Sequence, residues 1–326
     1  MPNFVFSRLE RLYLTLESTY GQAVAPGNDN ACRLIKASMD NEIPTLVRRD
    51  KFGSFTPPSG VRGRVRAKWN YEGSLVNGSG GVPDADVLWQ LLFSNASSGG
   101  VYTLSKASTV SANLWDYRDP STAAQRVALG AVMSSATINL GQDIAEWQCE
   151  GEAMYVNNSL FFSTSDTTQK GGLVSFPAEP GSPVTHGGII AGFTGSLTVD
   201  GITLATIRTA TIKVETGVAL VHDTFGTYYS TGIERGTRKV TFGFNMYEDD
   251  SSGQETIYAA AESKALINAS CQIGTVTGSI FTFALTGIQL DAPTRDDSQL
   301  RFAVVYPDAT AHGSGVGEDE LTLTVS

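Results

Sequence analysis

Residues that could act in catalysis or hold a metal are sparse in this chain of 326 residues. It has three histidines, and none stands in an HExxH, HxH or nucleophile-elbow motif. His222 precedes Asp223, but neighbours in a strand point to opposite faces. His186 lies in a Gly/Pro-rich stretch and His312 in a Gly/Ser-rich one. We therefore predict no catalytic site, no metal site and no cofactor, and we expect that the protein is not an enzyme.

The cysteines do not indicate a disulfide scaffold or a zinc site. There are three, an odd number, and they are scattered without a CxxC spacing: Cys32, Cys149 and Cys271. We expect buried or half-buried thiols in a reducing compartment. The N-terminal sequence supports an intracellular origin, since Arg8, Glu10 and Arg11 interrupt any apolar signal segment. No stretch is apolar enough for a membrane span.

Acidic runs and tryptophans leave two weaker possibilities. The runs at 248–250, 296–297 and 318–320 lack the alternating ligand spacing of a calcium loop, so we interpret them as solvated turns. A carbohydrate-binding or glycoside-hydrolase β-sandwich remains an alternative. Its aromatic platform would have to come from Trp69, Trp89, Trp115 or Trp147, and strand and helix spacing favours core packing for all except Trp115.

A basic strand face is the best candidate for a charged contact surface. Residues 61–71 alternate apolar and basic side chains, and the basic set is Arg62, Arg64, Arg66 and Lys68. Arg235 and Lys239 keep this character later in the chain. Contact with DNA is one interpretation. We favour salt bridges to an acidic neighbour, either within the domain or on another subunit, which makes all six residues candidate inter-subunit contacts.

The overall charge argues against a general nucleic-acid-binding protein. The net charge is −10, whereas such proteins neutralise phosphates with an excess of Lys and Arg. The acidity is uneven, because residues 1–165 have a net charge of −1 and residues 166–326 a net charge of −9. Charged residues are few and glycines numerous, which suits short strands and turns better than long helices.

An internal repeat organises the chain. When the sequence is aligned with itself so that Arg62 faces Arg235, twelve pairs are identical over positions 37–97, among them residues 95–97 against 268–270. We call this displacement the repeat offset. A Gly/Pro/Ser-rich stretch separates the copies. We predict a first domain at 1–163, a linker at 164–187 and a second domain at 188–326.

Periodicity predicts a β-rich fold for each copy. Strands are predicted at 61–71 and 234–244 and in several later segments, and Asp200-Gly201 predicts a type I′ hairpin. One short helix follows in each copy. The first is predicted after Pro83, with Asp84 or Asp86 as its cap, and the second at 255–266; Asn95 and Asn268 would end them. The fold class is therefore mainly β, with two tandem β-sandwich domains and one short α-helix in each.

The first copy resembles the tail tube proteins of long-tailed (siphovirus-type) phages. A leucine-rich strand leads into Glu17-Ser18-Thr19-Tyr20-Gly21, and a small-residue loop and a strand then reach Arg49-Asp50. The Gly-rich loop with Pro83-Asp84, the helix ending near Phe93 and the LWDYRD segment are also similar. The second copy resembles this family chiefly because it repeats the first copy.

This resemblance implies a structural virion protein in the phage tail, assembled in the host bacterial cytoplasm. Such proteins form six-fold rings that stack into a hollow tube, through which genomic DNA passes into the host. Two domains per chain imply a pseudo-hexameric ring of three chains, or of six chains if the second domain is a decoration. The implied partners are other copies of the chain, the tape measure protein, the tail terminator and the distal tail or baseplate proteins.

The charge then leads to one further expectation. An acidic wall would repel the phosphates of passing DNA, so we predict a predominantly acidic lumen with a share from the second domain. Another β-rich virion component, such as a tail terminator or head–tail connector, remains an alternative. The sequence leaves open whether residues 1–30 or 310–326 make contacts between rings.

Overall fold

We analysed a computed structural model of the chain. It describes residues 9–47, 59–76, 82–106, 110–118, 124–141, 143–158, 176–181, 184, 187–298, 300–315 and 317–326. His186, the glycine turn at 77–81, Arg49-Asp50 and residues 164–175 of the expected linker lie outside these ranges.

The fold is mainly β, as predicted. Each half contributes eleven strands and one α-helix within the described residues. We call residues up to 158 the first half and those from 187 the second half. The first half contains β1 Glu10–Leu16, β2 Ala31–Cys32, β3 Lys36–Glu42, β4 Thr45–Leu46, β5 Val61–Arg62, β6 Arg66–Ser74, α1 Asp86–Phe93, β7 Val101–Thr103, β8 Ala112–Arg118, β9 Ala124–Leu140, β10 Glu146–Ala153 and β11 Tyr155–Asn158. The second half contains β12 Ser196–Val199, β13 Ile202–Leu204, β14 Ile207–Glu215, β15 Val218–Leu220, β16 Ile233–Arg235, β17 Lys239–Tyr247, α2 Ser252–Ser263, β18 Leu266–Ile273, β19 Phe281–Gln289, β20 Thr294–Asp296, β21 Ala303–Ala311 and β22 Leu321–Val325.

One antiparallel sheet, which we call the long sheet, runs through both halves. Its order is β3-β6-β10-β9-β14-β17-β21-β20. Each half adds a cover layer, β2-β1-β8-β9-β11 in the first and β13-β12-β18-β19-β22-β7 in the second. One continuous hydrophobic core, with residues from both halves, fills the space between the layers. The layers form a β-sandwich.

Strand β9 belongs to two layers because it bends at a glycine. Its first part pairs with β8 and β11, and its second part pairs with β10 and β14. Gly130 lies at the bend with a φ of +62°, and an added Cβ would lie 2.9 Å from the ring of Tyr20. Only glycine meets both demands, the left-handed backbone and the close ring.

The pairing in the second half repeats that of the first. In β3–β6, Asn41 pairs with Ala67; in β14–β17, Val214 pairs with Val240, which is the same register moved by the repeat offset. Strands β19 and β20 correspond to the two parts of β9, and Gly287, with a φ of +67°, stands where Gly130 stands. The predicted hairpin is confirmed, since Asp200 and Gly201 both have positive φ between paired β12 and β13.

The helix boundaries differ from those predicted. Neither Asp84 nor Asp86 caps α1, whose N-cap is Ala85 in the left-handed region. The Asp84 carboxylate accepts the Arg33 amide instead, and Asp86 accepts from Gln90 and Tyr102. Helix α2 begins earlier than predicted, because the Ser251 hydroxyl caps it by accepting the Gln254 amide. Asn95 lies just beyond α1, but Asn268 lies inside β18 and ends no helix.

The predicted strands at 61–71 and 234–244 are each broken in two. Residues 63–65 separate β5 from β6, and residues 236–238 separate β16 from β17. The expected alternation holds from Val65 onward, with Ala67, Trp69 and Tyr71 buried, but Val61 is exposed. Each short strand instead belongs to a hairpin that leaves the sheet: β4–β5 in the first half and β15–β16 in the second.

The described part of the connection between the halves packs against the first half. The Phe176 ring lies edge-on to Trp115 at 6.2 Å, and Glu179 accepts hydrogen bonds from Arg11 and Tyr13. At the start of the second half, the Ile190 amide likewise donates to the Leu75 carbonyl. No described helix is long and apolar enough to span a membrane.

Candidate functional site

The two halves meet in a junction built mainly from backbone pairing. Strand β9 pairs with β14, with Thr137 opposite Lys213 and Ile138 opposite Ile212. In the cover layers, β7 of the first half pairs with β22 of the second. Helix α1 is buried along nearly its whole length, and the Trp89 ring lies 6.4 Å from Phe281. An unpaired strand edge is a template for pairing, and the facing edges of β9 and β14, and of β7 and β22, are used here to join the halves.

A hairpin from the second half, residues 216–236, also extends onto the first half, and we call it the second arm. Its counterpart, the first arm, is the described pair of segments 43–47 and 59–63. The Thr216 amide donates to the Ser134 carbonyl at 2.9 Å, and its hydroxyl donates to the Met133 carbonyl at 2.5 Å. Further along, the Leu220 amide lies 3.3 Å from the Glu152 carboxylate. The base of the second arm is thus fixed to β9 and β10.

The outer part of the second arm is held by the residue before β6, by β11 and by the loop after β1. The Val65 amide donates to the Tyr228 carbonyl at 2.9 Å. The rings of Tyr155 and Tyr229 are 5.3 Å apart and edge-on. The Tyr20 and Ser230 hydroxyls are hydrogen-bonded at 2.6 Å. These contacts join segments that lie far apart in sequence, so the arm locks the halves together.

Thr216→Val is expected to lower the free energy of unfolding by about 1–2 kcal/mol, because the buried Met133 carbonyl loses its hydroxyl donor. Urea unfolding followed by tryptophan fluorescence measures the change. Thr211→Val is the matched control, since the Thr211 hydroxyl is exposed and bonds only to the Asn139 side chain. Its expected loss is below about 0.5 kcal/mol. Equal losses in the two variants would contradict the assignment.

A half-buried carboxylate sets the position of the loop that receives the arm. Glu17 accepts hydrogen bonds from the amides of Gly21 (2.8 Å) and Gly130 (2.7 Å), and from the side chains of Ser111 and Asn113. Burial raises the pKa of the Glu17 carboxyl, although these four donors act in the opposite direction. The loop they hold carries Tyr20, whose ring packs over Gly130. The conspicuous Glu-Ser-Thr-Tyr-Gly segment is therefore a structural unit of the junction.

The structure places the six predicted contact residues in three environments. Arg64 and Arg235 cross the junction, where Arg64 donates to the His222 carbonyl and Arg235 donates to the Ser105 carbonyl at 2.6 Å. Arg66, Lys68 and Lys239 lie on the exposed face of the long sheet, where Lys68 pairs with Glu42 at 3.3 Å. Arg62 lies exposed at the base of the first arm. Their role between subunits stays a prediction.

The two outer strands of the long sheet each have one free edge among the described residues. At one end β3 pairs with β6 alone, and at the other end β20 pairs with β21 alone. Side chains hold β3 in place from its buried face: Arg126 donates to the Met39 carbonyl, and the Asn41 amide group bonds both backbone groups of Val156. These contacts hold β3 in a fixed position, so its unpaired edge is ordered and available for pairing.

The exposed face of the long sheet, which we call the polar face, is net acidic. Alternation along the strands places nine acidic and five basic side chains on it, and the guanidinium groups of Arg208 and Arg301 also lie there, over the Tyr247 ring. The acidic ones are Asp40, Glu42, Glu72, Glu146, Glu150, Glu152, Glu215, Asp296 and Asp308, and the basic ones are Lys36, Arg66, Lys68, Lys213 and Lys239. Six of the nine acids come from the first half, although the second half carries most of the net negative charge.

The other candidate chemistry is accounted for by local structure. All four tryptophans are buried. The sequence left open an exposed Trp115 that could contribute to an aromatic platform, and this possibility is wrong. The Trp115 indole N–H donates to the Val24 carbonyl. In the acidic runs, Glu248 pairs with Arg295, Asp296 accepts the Ser298 amide and Glu320 pairs with Arg238. Among the described residues, no His, Cys, Asp and Glu side chains cluster to hold a metal ion.

The cysteines are thiols, as predicted: Cys149 and Cys271 are buried, and Cys32 is half-buried. Burial raises the pKa of Cys271 to about 12 and raises that of Cys149 as well. Both thiols are therefore protonated at neutral pH and weak nucleophiles. His222 lies in the second arm with its Nε2 3.6 Å from the Glu152 carboxylate, within the junction rather than in a catalytic triad.

A family model described as Phage tail tube protein matches residues 7–320, nearly the whole chain. No curated protein matches the chain.

Proposed function

Because the chain belongs to the phage tail tube protein family, we propose that it is the subunit of a hollow siphovirus-type tail tube that conducts DNA into the host. The role is structural rather than catalytic. The observation that carries the proposal is the junction itself. Strands β9 and β14 pair the two halves inside the chain. Among the described residues, β3 and β20 each keep one unpaired edge, and these two edges could make a second pairing of the same kind with neighbouring copies.

Two tandem domains, at about 1–163 and 188–326, are the first element of the proposal. The shared register of β3–β6 and β14–β17 supports it. So does the correspondence of the bend glycines Gly130 and Gly287. The junction between β9 and β14 then acts as an internal version of a contact between subunits.

Ring closure follows from repeating this junction between chains. Thr294 lies opposite Val305 in the hairpin β20–β21, as Thr137 lies opposite Gln148 in β9–β10. Asp40 is the counterpart of Lys213 at the repeat offset. Since Thr137 faces Lys213 within the chain, Thr294 of one copy faces Asp40 of the next. Three chains then supply six domains, and the sheet closes without free edges.

The polar face forms the wall of the lumen in this arrangement. Its net negative charge repels DNA phosphates, so the DNA slides instead of binding through counterion release. Lys and Glu side chains on the face also neutralise each other locally, as in the pairs Lys36–Glu72 and Lys213–Glu215. Assembly takes place in the host cytoplasm around a tape measure protein. The tail terminator and the distal tail or baseplate proteins cover the two ends of the tube.

Negative-stain electron microscopy of the concentrated protein tests the proposal. We expect hollow stacks of rings with three-fold symmetry and six similar domains per ring. Uniform monomers at every concentration, or rings of six chains, would contradict it. Single rings that never stack would favour a tail terminator or connector instead.

Site-specific cross-linking tests the register of ring closure. Oxidation of a variant with Asp40→Cys and Thr294→Cys is expected to give covalent trimers on a non-reducing gel, because paired strands bring Cα atoms within disulfide range. The control variant has Thr137→Cys and Lys213→Cys, which are paired within one chain and give cross-linked monomers. Rings that form without cross-linked trimers would contradict this register.

A further inference from the structure

We propose that the first arm docks on the second half of a neighbouring copy, just as the second arm docks on the first half within the chain. This inference rests on the proposed ring and assigns one of its contact surfaces. The described part of the first arm comprises residues 43–47 and 59–63.

The two arms have the same geometry at their bases. Thr45 pairs with Arg62 in the first arm, and Val218 pairs with Arg235 in the second, so the repeat offset relates one pair to the other. The backbone turn is also shared: the Gly63 amide donates to the Pro44 carbonyl at 2.7 Å, and the Gly236 amide donates to the Gly217 carbonyl at 2.6 Å. The first arm is therefore built to the same plan as an arm that has a partner.

Burial distinguishes the arms. Leu220 in the second arm is 3% exposed, whereas Val47 at the same position in the first arm is 81% exposed. Thr216 is 6% exposed, and its counterpart Ile43 is 44% exposed. Leu46 and Val61 are more than half exposed as well. At the positions of Ile43 and Val47 the first arm thus presents apolar side chains where the second arm is covered, and a second copy of the chain supplies the missing cover.

The second half carries a matching receiving site. Thr137 in β9 and Thr294 in β20 are equivalent positions of the two halves. Four and three residues before them, Met133 and Ser134 therefore correspond to Leu290 and Asp291. Asp291 lies exposed in the connection between β19 and β20, where its carbonyl can accept the Ile43 amide as the Ser134 carbonyl accepts that of Thr216.

The differences between the two sites are complementary. In the junction the Thr216 hydroxyl serves the Met133 carbonyl. Ile43 has no hydroxyl, and the corresponding Leu290 carbonyl already has its own donor, the Lys264 ammonium at 3.3 Å. An isoleucine can therefore occupy the threonine position without leaving a carbonyl without a partner.

A matched pair of variants in the full-length chain tests the docking. Val47→Asp is expected to shift the melting temperature of the unassembled chain by less than about 2 °C, because Val47 is exposed there. The same change should raise the concentration at which rings form about tenfold or more. Leu220→Asp, at the same position of the second arm, should instead lower the melting temperature markedly, since Leu220 is buried within the chain. Ring formation by Val47→Asp at the wild-type concentration would overturn the inference.

Cross-linking locates the receiving site. Ile43→Cys combined with Asp291→Cys is expected to give covalent trimers on oxidation, while either single substitution gives none. Thr216→Cys with Ser134→Cys is the intrachain control and should give cross-linked monomers. Rings that form without the Ile43–Asp291 cross-link would overturn the arm docking and leave the proposed tube function intact. A wild-type chain that forms no rings would overturn both.

Discussion

Replacing Glu17 by glutamine is expected to lower the free energy of unfolding by about 2–4 kcal/mol. The carboxylate accepts from two backbone amides, one at each oxygen, namely those of Gly21 and Gly130. A glutamine in either orientation turns its NH2 group toward one of these donors, so a buried N–H loses its acceptor. The Tyr20 loop loosens with it, and so does the contact of Tyr20 with Ser230 in the second arm.

Chemical denaturation below the assembly concentration measures this loss, with Glu42→Gln as the control. Glu42 is exposed and pairs only with exposed Lys68 in the described structure, so its loss should stay within about 0.5 kcal/mol. A loss below about 1 kcal/mol for Glu17→Gln would show that the carboxylate is not the anchor of the loop.

The pH dependence gives the same experiment a second readout. Burial raises the pKa of Glu17 above its ordinary value in the folded state, so the folded chain takes up a proton there before the unfolded chain does. The free energy of unfolding of wild type therefore rises as the pH falls through the raised pKa of Glu17 in the folded chain. This gain is complete once the pH is below the pKa of Glu17 in the unfolded chain. Glutamine does not titrate. The difference in stability between wild type and Glu17→Gln should widen as the pH falls from 7 toward about 4.5.

Much of the fold could be predicted from sequence because its signals are local. Period-two alternation identifies β6 from Val65 onward, and two residues that tolerate positive φ identify the turn at Asp200-Gly201. The repeat offset anticipates the shared strand register. The errors arise where tertiary contacts override local preference. Asp84, an apparent helix cap, instead accepts the distant Arg33 amide.

The junction could be predicted only in part. The resemblance singled out Glu17 and Tyr20, but nothing in the sequence shows that four donors converge on that carboxylate. The alternation at Arg62 and Arg64 predicts one continuous strand, whereas Arg62 ends the returning strand of the first arm and β6 begins only at Arg66. In the proposed duplication, arms and free edges make the contacts between domains. The sequence records such contacts only as differences between corresponding residues of the two halves. The substitution of Val47 for Leu220 is one such difference.

Asp40 and Lys213 occupy corresponding positions in the two halves but carry opposite charges. This difference leads to the second prediction with a large effect. We expect Asp40→Lys to lower the concentration at which rings form about tenfold at low salt. In the junction, Lys213 lies 2.9 Å from Glu215, and Asp308 and Glu150 also raise its pKa. Asp40 takes this place in the proposed closure, where Asp296 on β20 of the neighbouring copy is the like charge across the new pairing. Within its own chain Asp40 lies opposite Lys68 and 3.7 Å from the Arg126 guanidinium, and these contacts are the same before and after ring closure. Like charges across paired strands disfavour association, and each relieved pair contributes about 0.2–1 kcal/mol at each of the three junctions of a ring.

Sedimentation across protein and salt concentrations measures this effect, which should fade toward about 1 M salt because exposed charges are screened. Asp29→Lys is the matched control, since it makes the same change in net charge on an exposed turn away from the long sheet. An equal gain from Asp29→Lys would mean that net charge alone limits assembly. A gain confined to Asp40→Lys would identify β3 and β20 as the closing edges.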